Sequence, residues 1–143
     1  MTSGVTVMDE CIDAFNEIKM GHQWQFIIYR LSDDLKSIVV EEKGPRRTSY
    51  DTFVERLREA EAKKQCRYAV FDVNYVQNDM EKKKLVFFAW SPDSAAIKQK
   101  MIYASSLKAL KNKLRGIQVE VQCNDAEDLR HEEVIEKCKD KYQ

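Results

Sequence analysis

Few residues in this chain have types and spacing suited to covalent chemistry. His22 lies in a turn-like stretch and His131 at a charged helix start, and neither has a nucleophile or carboxylate at a recognisable spacing. The cysteines Cys11, Cys66, Cys123 and Cys138 form no C-x-x-C pair and complete no metal-ligand pattern with the histidines. The four glycines are isolated, so no phosphate-cradling loop can be assembled from them. A non-enzymatic protein with no cofactor and no metal is expected. What the residues do support is ionic and apolar recognition. Lys82, Lys83 and Lys84 form one basic cluster, and Lys98, Lys100, Lys108, Lys111, Lys113 and Arg115 decorate a second stretch.

That second stretch, Ser94 to Leu114, reads as a long helix after the turn residues Ser91-Pro92-Asp93, with Gly116 beyond its end. At roughly 100° per residue, Tyr103, Leu107, Leu110 and Leu114 share one face. The opposite face carries Ile97, Met101 and Ala104 among lysines. An apolar centre with a charged rim suits a protein-binding surface; a second buried face fringed by solvated lysine is the bland alternative. The serines of Tyr103-Ala104-Ser105-Ser106 are candidates for bending the helix.

The remaining elements follow from periodicity. Residues 1–6 read as a flexible tail and Asp9 to Lys19 as an amphipathic helix. Trp24 to Leu31 and Ser37 to Glu42 form a hairpin, followed by a loop from Lys43 to Arg47. Thr48 or Ser49 caps a helix that continues through Glu59 to Gln65. Arg67 to Tyr75 is a strand, and Lys82 to Lys84 lead into the apolar strand Leu85 to Trp90, whose unbroken pattern suits burial on both faces. After the long helix come a strand from Ile117 to Val121, a capping box on Asn124 and Glu127, and a helix from His131 to Lys141. The order predicts one α/β domain spanning residues 1–143, a mixed sheet with helices on both faces.

Composition narrows the partner class. The 143 residues include 24 Lys+Arg and 24 Asp+Glu, so no global field draws the chain to nucleic acid or anionic membrane. Aromatics fall mostly in core positions rather than between basic residues, which disfavours a nucleic-acid module. No apolar run is long enough to span a bilayer, and no secretory signal is evident. A reduced cytosolic protein is the simplest expectation.

The runs SPDSA, IKQKMIYASS, KNKL and GIQVEVQ, the Ser-Gly-Val start at Ser3, Ala14-Phe15-Asn16 and Cys66-Arg67-Tyr68-Ala69 closely resemble the ADF/cofilin family over nearly the whole chain. The resemblance implies a central mixed five-stranded sheet sandwiched by helices. It implies binding to monomeric and filamentous actin, with the ADP form preferred, and filament severing and depolymerisation. Carried over position by position, the site for monomer and filament comprises Ser3, Gly4, Val5, Ile97, Lys98, Lys100, Met101 and Ser106. A filament-specific site comprises Lys82, Lys84, Glu136 and Lys137. Ser3 becomes the phosphorylation candidate, and the same lysines become candidates for phosphoinositides. A monomer in the cytoplasm, on the actin cytoskeleton, is implied, with the nucleus as a second compartment.

Some positions depart from the family pattern. Leu107-Lys108 stands where Lys-Asp is usual, Asp140 where some members have a basic residue, and Met8 where a capping serine is frequent. The first two departures bear on severing more than on binding. Two other readings remain at this point: a module that sequesters monomers or decorates filaments without severing, and a phosphoinositide- or nucleic-acid-binding adaptor.

Overall fold

The computed structural model describes residues 4–140. Six strands form a single sheet in the order β1-β3-β2-β4-β5-β6. They are β1 (Thr6–Val7), β2 (Trp24–Leu31), β3 (Ser37–Pro45), β4 (Arg67–Gln77), β5 (Met80–Trp90) and β6 (Val119–Cys123). The central pairs are antiparallel, while β1 runs parallel to β3 and β6 parallel to β5. Four helices cover the sheet: α1 (Asp9–Lys19), α2 (Tyr50–Ala62), α3 (Ile97–Lys113) and α4 (His131–Cys138).

Alternation along the strands divides the core in two. In β2, Phe26 and Ile28 join a cluster with Phe53 and Leu57 of α2 and Val134 of α4. Ile27 and Tyr29 point the other way, into a cluster with Phe15 and Ile18 of α1 and Tyr103 and Leu110 of α3. The helix sandwich is therefore as expected: α1 and α3 cover one face, α2 and α4 the other. Val86, Phe87 and Phe88 of β5 are all fully buried, as their continuous apolar run implies for a strand with neighbours on both sides. Buried ring donors are satisfied by distant backbone. Trp90 Nε1 donates to Leu57 O at 2.8 Å and the Tyr50 hydroxyl to Leu129 O at 2.6 Å.

Several boundaries differ from expectation, each for a local reason. The sheet has a sixth strand because Thr6, expected in the tail, pairs with Ser37, and its N–H donates to Lys36 O. Lys43 to Pro45, expected as loop, continue β3 opposite Ile27, Phe26 and Trp24. Gly44 serves close packing there: a Cβ would stand 2.2 Å from the Phe26 ring. The helix after Ser49 stops at Ala62 rather than continuing to Gln65, with Lys64 turning out at φ 60°. The strand expected from Leu85 begins at Met80, so Lys82 to Lys84 lie within it. The strand after α3 is shifted two residues later, to Val119–Cys123.

The long helix begins at Ile97, not Ser94, because the Ala95 N–H turns back to Pro92 O and the Ala96 N–H is held by Lys64 O. It runs unbroken to Lys113, although Ser105 Oγ donates to Ile102 O as the serine-bend idea required. The capping box sits one residue later than expected. Asp125 accepts from the Asp128 N–H, and Asp128 accepts from the Asn124 N–H. The last helix ends at Cys138, where Lys139 turns extended.

Candidate functional site

Helix α3 is pinned by its inner face. The Leu31 N–H donates to the Tyr103 hydroxyl at 2.9 Å, and the Tyr68 hydroxyl donates to Tyr103 O. Burial pushes both phenols to higher pKa, so both stay neutral, Tyr68 as donor and Tyr103 as acceptor. Lys111 pairs with Glu120 of β6 at 2.6 Å, and Lys19 of α1 donates to Arg115 O at 2.7 Å. These ties fix what the outer face presents. Ile97 is 76% exposed and Met101 68%, one turn apart on a rigid helix. Apolar side chains this open on a well-anchored helix form a ridge rather than a missing piece of core.

The electrostatics of this ridge are one-signed. No side chain caps the N-terminus of α3, and its first turn contains no acid. Lys98 and Lys100 sit near the positive end of the helix dipole, which is locally unfavourable and concentrates positive potential there. Lys98 is exposed and has no ion-pair partner among the described residues. Lys100 is half-buried, its Nζ donating to Asp93 O at 2.7 Å. A groove of about 280 Å³ runs beside the ridge, lined in part by Ala89, Lys100, Ala104, Leu107 and Asn124.

The expected members of this surface are not all brought together. β1 contacts α3, which places the neighbouring Gly4 and Val5 beside the helix. Gly4 is exposed, with φ +75°. Ser3 lies outside the described residues. Ser106 must be removed from the surface: it is 0% exposed, on the inner face, and its hydroxyl bonds the Tyr68 phenol. A contact from Ser106 to a partner is sterically closed.

The second group of residues gathers at another edge. Lys82 and Lys84 are two apart on β5 and therefore share a face. Both reach Asp140, at 2.7 and 3.4 Å. Glu136 and Lys137 are exposed on α4, with Glu136 3.5 Å from Lys139. The Tyr75 hydroxyl donates to Cys138 O and ties the end of α4 to β4. The hairpin tip nearby exposes Val76 and Met80 across a turn in which Asn78 and Asp79 have φ of 54° and 63°. Those two apolar residues were not singled out from sequence. The signal available was an apolar residue on either side of an Asn-Asp turn, where no core lies within reach.

The four cysteines are buried and His131 packs on an aromatic ring, while His22 is exposed. Burial raises the Cys11 and Cys123 thiols to about 12 and Cys138 to about 11, which disfavours the nucleophilic thiolate. His131 stacks on Tyr50 at 4.5 Å. Among the described residues, no three His, Cys, Asp or Glu side chains are grouped to hold a metal.

With this geometry in place, similarity to known proteins is informative. A sequence model of the cofilin/tropomyosin-type actin-binding proteins matches residues 4–139. The chain is 47% identical to a cofilin of Yarrowia lipolytica over 137 residues, covering 94% of this chain and 86% of that one. It is 39% identical to actophorin of Acanthamoeba castellanii, covering 96% of each chain. The crystal structure of Streptomyces griseoflavus cofilin superposes with a TM-score of 0.87 at 38% identity, covering 95% of this chain and 98% of that one.

Proposed function

The chain belongs to the cofilin/tropomyosin-type actin-binding protein family, and from that premise we propose that it binds actin through two surfaces and drives filament depolymerisation. The α3 ridge, with Gly4 and Val5 beside it, engages an actin subunit whether free or in a filament. The β5–α4 edge, with Lys82, Lys84, Glu136 and Lys137, engages a second subunit available only in filaments. The carrying observation is the Ile97–Met101 ridge: apolar, rigidly held and rimmed by lysines with no acid in its first turn. Burying two such side chains contributes about 1.5–3 kcal/mol each, and Lys98 adds charge pairing that favours an acidic partner.

Depolymerisation follows from linkage rather than bond cleavage. A ligand that binds one filament conformation more tightly than another shifts the population towards it. Preference for ADP subunits selects older filament regions. Severing follows where decorated and bare segments meet, because adjacent subunits there favour different geometries. The protein acts as a monomer in the cytoplasm, on the actin cytoskeleton. A phosphate on Ser3 would add about −1.5 to −2 charges and oppose docking on an acidic surface. Phosphoinositide headgroups would compete for the same lysines.

Co-sedimentation with ADP filaments, with filament length followed by microscopy, tests this function. More and shorter filaments are expected. Decoration of intact filaments would leave binding and remove severing. Monomer binding without pelleting would reduce the protein to a sequestering module.

A further inference from the structure

The cations of the β5–α4 edge are already engaged by the chain itself. Asp140 Oδ2 lies 2.7 Å from Lys82 Nζ and Oδ1 lies 3.4 Å from Lys84 Nζ, so one carboxylate spans both lysines. This is not a loose surface encounter. The Gln77 side-chain amide donates to Asp140 O at 3.0 Å, and the Asp140 N–H donates back to Gln77 Oε1 at 3.1 Å. Two residues earlier, the Tyr75 hydroxyl fixes Cys138 O at 3.1 Å. The segment after α4 is thus stitched to the β4–β5 hairpin, and its carboxylate is delivered to the lysines by backbone contacts. The hydrogen bond from Lys82, then the charges of Lys82 and Lys84, hold the Asp140 carboxyl below its usual range. Lys82 and Lys84 have no other carboxylate partner among the described residues.

We infer that Asp140 is a specificity-determining residue that competes with carboxylates of the filament for Lys82 and Lys84, weakening filament binding and leaving the α3 surface untouched. The inference rests on the two-surface reading above. A filament carboxylate must displace one that is tethered in place, and tethering gives Asp140 a high effective concentration. Asp140 also cancels positive potential that would otherwise steer this edge towards an acidic partner. Because the pair is partly exposed, the competition is worth a few-fold rather than orders of magnitude. The result is a protein whose monomer affinity is set by α3 and whose filament affinity is held down from within.

The test is Asp140→Asn, which keeps the side chain's size and leaves the backbone clamp from Gln77 in place. Affinity for ADP filaments by co-sedimentation, at low and moderate salt, is measured beside affinity for fluorescent ADP-actin monomers. Filament affinity is expected to rise about three- to fivefold, with a steeper salt dependence. Monomer affinity and the thermal midpoint stay unchanged. Asp140→Glu retains the low filament affinity, and Asp140→Asn has no effect once Lys82 and Lys84 are both alanine. Unchanged or weaker filament binding by Asp140→Asn would overturn the inference. So would an equal gain in monomer affinity, or the same filament gain without the lysines. If the parent protein binds monomers but never pellets with filaments, the two-surface reading itself fails, and Asp140 has nothing to regulate.

Discussion

The two surfaces solve opposite problems. The α3 ridge is apolar at its centre, and Lys98 on its rim is unpaired among the described residues. The β5–α4 edge is ionic, and its two lysines already share the single carboxylate of Asp140. An apolar ridge gains from desolvation whenever a partner covers it, and salt hardly matters. An ionic edge gains only the difference between one carboxylate and another. The first is suited to affinity and the second to adjustment. Their supports differ too. The ridge stands on a helix anchored through Tyr103 and Lys19, whereas the edge depends on a chain segment clamped by Gln77.

The largest effect should come from spoiling the ridge. Ile97→Asp with Met101→Asp replaces apolar burial by buried charge, and binding to monomers and filaments should both fall by about a hundredfold or more. Both positions are exposed, so the thermal midpoint should hold. Loss of filament binding alone would break the comparison by making α3 a filament-only surface.

The edge should respond more weakly and selectively. Lys82→Ala with Lys84→Ala should lower filament affinity about three- to tenfold and leave monomer affinity unchanged, measured in parallel. Ser3→Glu is expected to lower monomer affinity about threefold, by adding negative charge against an acidic partner. Ser106→Ala sharpens the contrast between the two sides of α3. It removes a buried hydroxyl at a cost of about 1 kcal/mol in stability by denaturant unfolding, with actin affinity unaltered.

The smallest effect concerns pH. Lys82, with Lys84, holds the Asp140 carboxyl below its usual range, so the ion pair is present above the ordinary carboxylate pKa and lost only as pH falls through the depressed folded value. The ratio of filament affinities between Asp140→Asn and the parent should therefore stay constant from pH 6 to pH 8. A ratio that drifts across this window would place another titrating group at the edge.

How much of this was legible in the sequence varied by residue. Helix α1 was readable because burial imposes a strict period on its apolar residues, and the buried half of β5 because Leu85 to Trp90 is an unbroken apolar run; the polar half from Met80 to Lys84 carried no such signal. Lys43 to Pro45 were not readable as strand, because Gly44 and Pro45 carry loop chemistry, and the glycine answers to the Phe26 ring across the sheet rather than to a turn. The start of α3 was set by Lys64 O, a tertiary contact that no local pattern encodes. The exposed pair Ile97 and Met101 came directly from the helical wheel. Ser106 came from family resemblance and proved buried, although its spacing of three from Tyr103 and four from Leu110 already placed it on the inner face. Asp140 was visible as an unusual residue, but its role depends on lysines 56 and 58 positions away, which only the fold brings together.

The most direct test of two separate surfaces is hydrogen–deuterium exchange of the unmodified protein, free, with ADP-actin monomers and with ADP filaments. Amides from Ile97 to Met101 should gain protection with both forms of actin. Amides from Met80 to Lys84 and from Glu136 to Cys138 should gain protection with filaments alone. Protection of the β5–α4 edge by monomers, or an α3 helix whose exchange is unaltered by either form, would contradict the division of labour proposed here.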